Sequence, residues 1–146
     1  MPRYFTVTEA EQLLPEVEVA LRDALSQKAA YQSADRELED GLQRIRVSGG
    51  SRVNPGPFLA LRAKRDAATA KLREALDRVD ELGAQVKDLD IGLIDFLTRY
   101  HGREVCLCWK LGEHGIRFWH SPEEGFKGRK PIDAEFLENH HGDAPN

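Results

Sequence analysis

From Leu14 onward, apolar residues recur in steps of three and four through Val17, Leu21, Ala24, Tyr31, Leu38, Leu42 and Ile45, with polar Lys28 and Asp35 set into the same stripe. A heptad stripe of this length predicts one long amphipathic helix, coiled-coil-like in character. Upstream, "TEAE" places Glu11 three residues after Thr8, a capping-box spacing that sets the expected start at residue 8. The helix is expected to run over 8–46, with Pro15 kinking it near Glu11–Leu14. "VSGGSRVNPGP", Val47 to Pro57, holds three glycines and two prolines and breaks the pattern.

A second stripe follows: Phe58, Leu61, Arg65, Ala68, Leu72, Ala75, Val79, Leu82 and Val86. It predicts a second helix over 58–87. The matched periods and short connection make the pair an antiparallel helical hairpin. Folding the chain about the loop brings Arg65 within a turn of Asp35, so these two polar seam residues are expected either to pair or to bend out to water.

From "KDLDIGLIDF" the period changes. Three short apolar runs, Ile91–Phe96, Glu104–Leu111 and Ile116–His120, are separated by the turn-like "RYHG" and "GEHG". Such close spacing predicts a three-stranded antiparallel β-meander over 90–120. A tight "GEHG" turn would oppose Leu111 to Ile116, Trp109 to Phe118, Cys108 to Trp119 and Leu107 to His120. One face would then hold Val105, Leu107, Trp109, Leu111, Ile116 and Phe118 as core, with His120 at its rim. The other would hold Cys106, Cys108, Lys110, Arg117 and Trp119. Carried through "RYHG", the register sets Asp95 beside Cys106 and Gly92 opposite Trp109, where a glycine leaves room for the indole. Asp95 and His120 fall on opposite faces in this register. The fold class is therefore α+β, a single domain over 1–132 followed by a polar C-terminal tail, 133–146.

Composition narrows the function classes. The 146-residue chain is 32% charged and carries a formal net charge of −4, which argues against a general nucleic-acid binder. No apolar run approaches a membrane span, and the N-terminus lacks a signal-peptide pattern, so a cytoplasmic protein with reduced thiols is expected. Two cysteines in a Cys-x-Cys strand stand about 6.6 Å apart along the chain, too far to share one zinc ion readily or to form a disulfide. Metal sites and cofactors are accordingly not expected, and the thiols read as small buried groups. Glu113 at a hairpin tip reads as a solvated turn residue, and His140–His141 as incidental residues of the tail. "GFKGRKP" clusters Lys127, Arg129 and Lys130 around glycines, a weak anion-cradle pattern against the commoner solvated loop.

The segments "FTVTEAEQLLPEV", "VKDLDIGLIDF" and "GREVCLCWKLGEHGIRFWHSPEEGFKGR" resemble the signature stretches of an uncharacterised bacterial family, domain of unknown function 2203. The resemblance runs from Phe5 to about Pro131, and its C-terminal segment is the specific part. It implies recurring positions at Asp88, Asp90, Gly92, Asp95, Arg103, Trp109, Glu113, Trp119, His120, Gly125, Phe126 and Arg129, with other residues acceptable at Cys106. It implies no activity.

Two functional expectations follow. One is a non-enzymatic interaction or scaffolding protein, a homodimer assembling through its hairpin and engaging an unknown protein partner. The other is a binder of a small anionic ligand, or an uncharacterised enzyme. Its site would be drawn from Asp95, Arg103, Glu113, His120 and Arg129, with His120 as acid–base and Arg129 as anion clamp. The absence of any familiar catalytic motif favours the first.

Overall fold

A computed structural model of the chain describes residues 2–49 and 54–143. The centre of the predicted 47–57 breaker, residues 50–53, and the last three residues of the chain lie outside the described residues. The chain divides into two compact units, one containing residues up to Leu21 and from Leu76 onward, the other Arg22–Ala75.

Helix α1 spans Val7–Val47 and runs through Pro15; α2 spans Gly56–Leu82. The capping box forms two residues earlier than the sequence suggests. Thr6 Oγ1 accepts from Glu9 N–H at 3.1 Å, and Glu9 Oε1 accepts from Thr6 N–H at 2.9 Å. Within Arg22–Ala75 the two helices pack as a hairpin whose polar seam residues do pair, Arg65 Nη1 standing 3.4 Å from Asp35 Oδ1. Both side chains are partly solvated, so the pair contributes register more than stability.

The second helix stops at Leu82, short of the expected residue 87. Gly83 adopts φ +100°, its N–H reaching Asp80 O and the Ala84 N–H reaching Val79 O, which is the Schellman geometry of a helix end. A Cβ on Gly83 would stand 2.2 Å from the Phe5 ring, so the residue also admits the core aromatic. The apolar stripe continues to Val86 only because the chain re-enters the core as a strand.

The sheet has six strands rather than three: β1 Gln85–Asp88, β2 Leu93–Tyr100, β3 Arg103–Lys110, β4 Phe118–His120, β5 Lys130–Pro131 and β6 His140–His141. The order is β1-β2-β3-β4-β5, all antiparallel, with β6 also on β2. The edge of β2 away from β3 is shared, β1 pairing with Leu93–Asp95 and β6 with Arg99–Tyr100. Between them the Phe5 N–H donates to Leu97 O at 2.8 Å.

The expected polar tail is part of this structure. Helix α3, Ala134–Asn139, is N-capped by Asp133 Oδ1 on the Phe136 N–H and buries Phe136 completely. Phe136 stacks against Tyr100 and Trp119. His140 is not incidental either. Its Nε2 accepts from Val7 N–H at 3.0 Å, satisfying one of the open amides at the start of α1.

The core lies on one face of the sheet, with Ile94, Phe96, Val105, Leu107 and Trp109 packed against Phe5, Ala10, Val17, Leu21, Val79 and Leu82. Alternation along β3 is as predicted. The register of its neighbours is not. Strand β2 pairs Asp95 with Cys108 and Leu97 with Cys106, a two-residue offset that preserves faces. Strand β4 pairs Cys106 with His120, Leu107 with Trp119 and Cys108 with Phe118. That is a one-residue offset, which moves every β4 side chain to the opposite face.

In the observed register, side chains occupy two amides beside the turn. Glu113 Oε1 takes the Lys110 N–H at 2.8 Å, and Glu11 Oε1 takes the Ile116 N–H at 3.1 Å. Leu111 N–H donates to Gly92 O, extending the pairing of β3 with β2 by one residue. Gly92 is therefore required for another reason than the indole. Its φ is +67°, and a Cβ there would stand 2.5 Å from Leu111 Cβ.

Gly92 and Gly102 separate the two costs, because Gly102 has a similar φ of +75° with open space around it. Gly102→Ala is expected to lose the about 1–2 kcal/mol of a left-handed residue. Gly92→Ala should lose about 1–3 kcal/mol more from overpacking. Equal losses of the two variants in urea denaturation would contradict this packing.

Candidate functional site

The second face of the sheet, away from the main core, is also buried. Leu93, Asp95 and Leu97 of β2, Cys106 and Cys108 of β3, and His120 of β4 are all closed off from solvent. Pro122, Gly125 and Phe126 of the segment after β4 form one side of a cavity of about 260 Å³. Its floor is Asp95, Cys106 and His120, and Gln85, Lys87 and Glu104 stand at its walls.

Asp95 and His120 meet across β3. Strands are spaced about 4.8 Å apart, so β2 and β4 lie nearly 10 Å from each other. The small cysteine side chains on the strand between let the carboxylate and imidazole reach over it. His120 Nε2 lies 3.0 Å from Asp95 Oδ1, with Asp95 1% and His120 4% exposed. His120 Nδ1 lies 2.7 Å from Ser121 O. A carbonyl oxygen only accepts, so Nδ1 carries a proton and donates to it. Nε2 and Oδ1 can then bond only with a further proton between them, carried by the ring or by the carboxyl.

Both thiols lie beside this carboxylate. Burial, reinforced by the Asp95 charge, pushes Cys106 and Cys108 up to about 12. Both are weak donors to the Asp95 carboxylate, whose buried Oδ2 has no conventional hydrogen-bond partner. The arrangement therefore does not work as a cysteine nucleophile with a histidine base. The thiols are held neutral, and both ring nitrogens of His120 are engaged.

The remaining expected site residues go elsewhere. Glu113 is no solvated turn residue. Its Oε1 accepts from Arg129 Nη2 at 2.8 Å, while its carbonyl accepts from Trp109 Nε1–H at 3.1 Å. Arg129 is sandwiched with its guanidinium 4.0 Å from the Phe118 ring centroid and 4.7 Å from that of Phe126. This clamp ties the turn after β3 to the segment roofing the cavity, and Arg129 is not among the cavity's lining residues. Arg103, exposed at the start of β3, lines a separate open groove with Tyr100, Trp119 and Lys130. The five residues thus fall into three places: Asp95 with His120, Glu113 with Arg129, and Arg103 apart.

Sequence reasoning missed Glu124 and the walls Gln85, Lys87 and Glu104. Glu124 Oε1 accepts from Ser121 Oγ at 2.8 Å and from Lys130 Nζ, stapling the roof segment at both ends. The spacing "SPEE", a hydroxyl residue three before an acid, carries that signal as a capping-box pattern outside a helix. The Lys130 and Ser121 bonds hold the Glu124 carboxyl down at about 2. A depressed folded value means the contribution to stability is present above the ordinary value of 4.5 and is lost as pH falls towards 2. Carboxyl-carbon NMR should find Glu124 titrating near pH 2, and Glu124→Gln should flatten acid unfolding in that window. Titration near pH 4.5 would show that the staple does not form.

Among the described residues, no helix is long and apolar enough to cross a membrane. No curated protein and no solved structure matches the chain. A family model described as "Uncharacterized conserved protein (DUF2203)" matches residues 3–132, from just before α1 to just before α3. That match takes in both helices, the buried Asp95–His120 pair and the Glu113–Arg129 clamp, and the chain belongs to the DUF2203 family.

Proposed function

We propose that this protein binds a small polar ligand in the cavity on the second face of its sheet, over the Asp95–His120 pair. The observation that carries the reading is a fully buried acid and imidazole forming the floor of a cavity, rather than being sealed beneath apolar packing. Removing both groups from water is costly, and a hydrophobic pair would hold the strands at least as well. Pockets that orient ligands are apolar with a few fixed polar groups. Leu93, Leu97 and Phe126 supply the first and Asp95, His120 and Lys87 the second. Lys87 takes the place expected of Arg129 as the cation facing a ligand, because Arg129 is spent on Glu113.

A thermal-shift screen of phosphorylated metabolites, nucleotides and small carboxylates tests this. A true ligand at one hundred times its Kd adds about 2.7 kcal/mol. In a chain of this size that raises Tm by about 5–10 °C. The shift should vanish in His120→Gln and Asp95→Asn and persist in Arg103→Ala. A ligand whose effect survives both cavity-floor variants would place binding elsewhere.

A second reading, self-association through the hairpin, is favoured by the thinness of the Arg22–Ala75 seam. Among its described residues the buried apolar side chains are Ala24, Ala34, Leu38, Ala68 and Ala75, while Leu42 is 46% and Leu59 60% exposed. A second copy would cover what two helices leave open. Light scattering should then find a dimer that Leu42→Asp with Leu59→Asp converts to monomer without loss of helix. A monomeric wild type at high concentration would end this reading.

A further inference from the structure

We propose that Asp95, Cys106 and His120 bind a divalent transition-metal ion of the zinc class, with an open coordination position facing the cavity. The proposal deepens the ligand-binding reading and rests on it for what the open position would meet. The three donor atoms all lie within 4.8 Å of one another, and all three residues are buried. They come from three adjacent strands: Cys106 on β3 is directly opposite His120 on β4, and Asp95 on β2 is opposite the next inward-facing residue of β3. Spacing along the sequence cannot reveal such a set, because its members are neighbours only across strands. The along-strand argument against Cys106 and Cys108 sharing one ion still holds, and the set does without Cys108.

Two further features point to an ion. The first is the histidine. Its Nδ1–H is fixed on Ser121 O, the outer bond by which metal-bound imidazoles are held, and this turns Nε2 with its lone pair towards Asp95 Oδ1. An ion can take the position that a bridging proton otherwise occupies. The second is Asp95 itself, 1% exposed, whose buried Oδ2 has no conventional hydrogen-bond partner and only the weakly donating thiols beside the carboxylate. A buried carboxylate oxygen without a strong donor costs free energy that coordination would recover.

The nitrogen–oxygen separation needs a small adjustment only, while the thiol lies within 4.8 Å of both atoms and closes in on the ion as it binds. Zinc–ligand bonds of ~2.0–2.2 Å in a tetrahedron set nitrogen and oxygen about 3.4 Å apart, against the 3.0 Å seen. A nitrogen, sulfur and oxygen donor set suits zinc or cobalt and is wrong for calcium or magnesium, which take oxygen ligands. Three protein ligands with a fourth position open is the pattern of a reactive rather than a structural zinc site. Binding releases the Cys106 thiol proton and the proton held between Asp95 and His120 to solvent.

The test uses the full chain stripped by chelator and titrated with Co²⁺ alone. One equivalent should produce thiolate-to-cobalt charge-transfer absorption together with the intense visible bands of a tetrahedral ion, and Zn²⁺ should displace them. Cys106→Ser should abolish the charge-transfer band and weaken binding by more than about 100-fold, beyond the about 10–100-fold that a merely supporting residue is worth. Cys108→Ser should keep both. The wild-type titration is decisive even if a variant fails to fold. Absence of the band there, or a band that survives Cys106→Ser and is lost in Cys108→Ser, overturns the proposal. Repeating the ligand screen in excess chelator separates the two readings. A metabolite that stabilises the stripped protein while Co²⁺ gives no band sinks the metal site and leaves the ligand reading standing. A Co²⁺ band with no stabilising metabolite does the reverse.

Discussion

The contact between Asp95 and His120 is the constraint on which the rest of the sheet's second face depends. An acid on β2 and an imidazole on β4 can meet only if the strand between them carries small side chains where they cross, and Cys106 and Cys108 meet that condition. The meeting requires β4 in a register one residue away from that of a tight hairpin. In that register Glu11 and Glu113 occupy the amides of Ile116 and Lys110. In the tight-hairpin register Ser121 would stand opposite Cys106 in the place of His120, and Trp119 opposite Cys108 in the place of Phe118. Helix α1, through Glu11, is tied to the chain just before β4.

The roof is built with comparable economy. Glu113 reaches from the turn after β3 to Arg129, which lies between Phe118 and Phe126, and Glu124 links Ser121 to Lys130. The charged residues of "SPEEGFKGRK" are thus spent largely on one another. This explains why a segment that reads as a basic, glycine-rich loop does not present a free anion cradle. The open edge of β2 is closed by β1, the residues before α1 and β6, so both ends of the described chain are fastened to the same strand.

Much of the architecture was legible because it rests on periodicity. The heptad stripes gave both helices and set Arg65 within a turn of Asp35, and alternation along β3 separated the core face from the cysteine face. What was illegible rests on single long-range contacts. The observed strand register carries side-chain-to-amide bonds from residues 105 and three positions away. The end of α2 depended on Gly83, a punctuation mark inside an unbroken apolar stripe. The C-terminal segment is polar by composition, yet one buried aromatic, Phe136, is enough to dock it. The candidate site suffered most, because parity decides faces. Asp95 and His120 were both singled out, but a one-residue slip put the two residues that meet on opposite sides of the sheet. Glu113 and Arg129 are bound to each other rather than to that pair.

The claim beneath the functional readings is that His120 is anchored through Nδ1 on Ser121 and turned through Nε2 towards Asp95. Two-bond proton–nitrogen correlation NMR of the imidazole, on chelator-stripped protein at neutral pH, tests it most directly. The account predicts a protonated Nδ1 whose proton exchanges slowly with water. That signal should be lost from its position when Asp95→Asn changes what Nε2 faces. A bare Nδ1, or an imidazole exchanging freely with solvent and indifferent to Asp95, would contradict the geometry from which the cavity, its ligand and its metal are all argued.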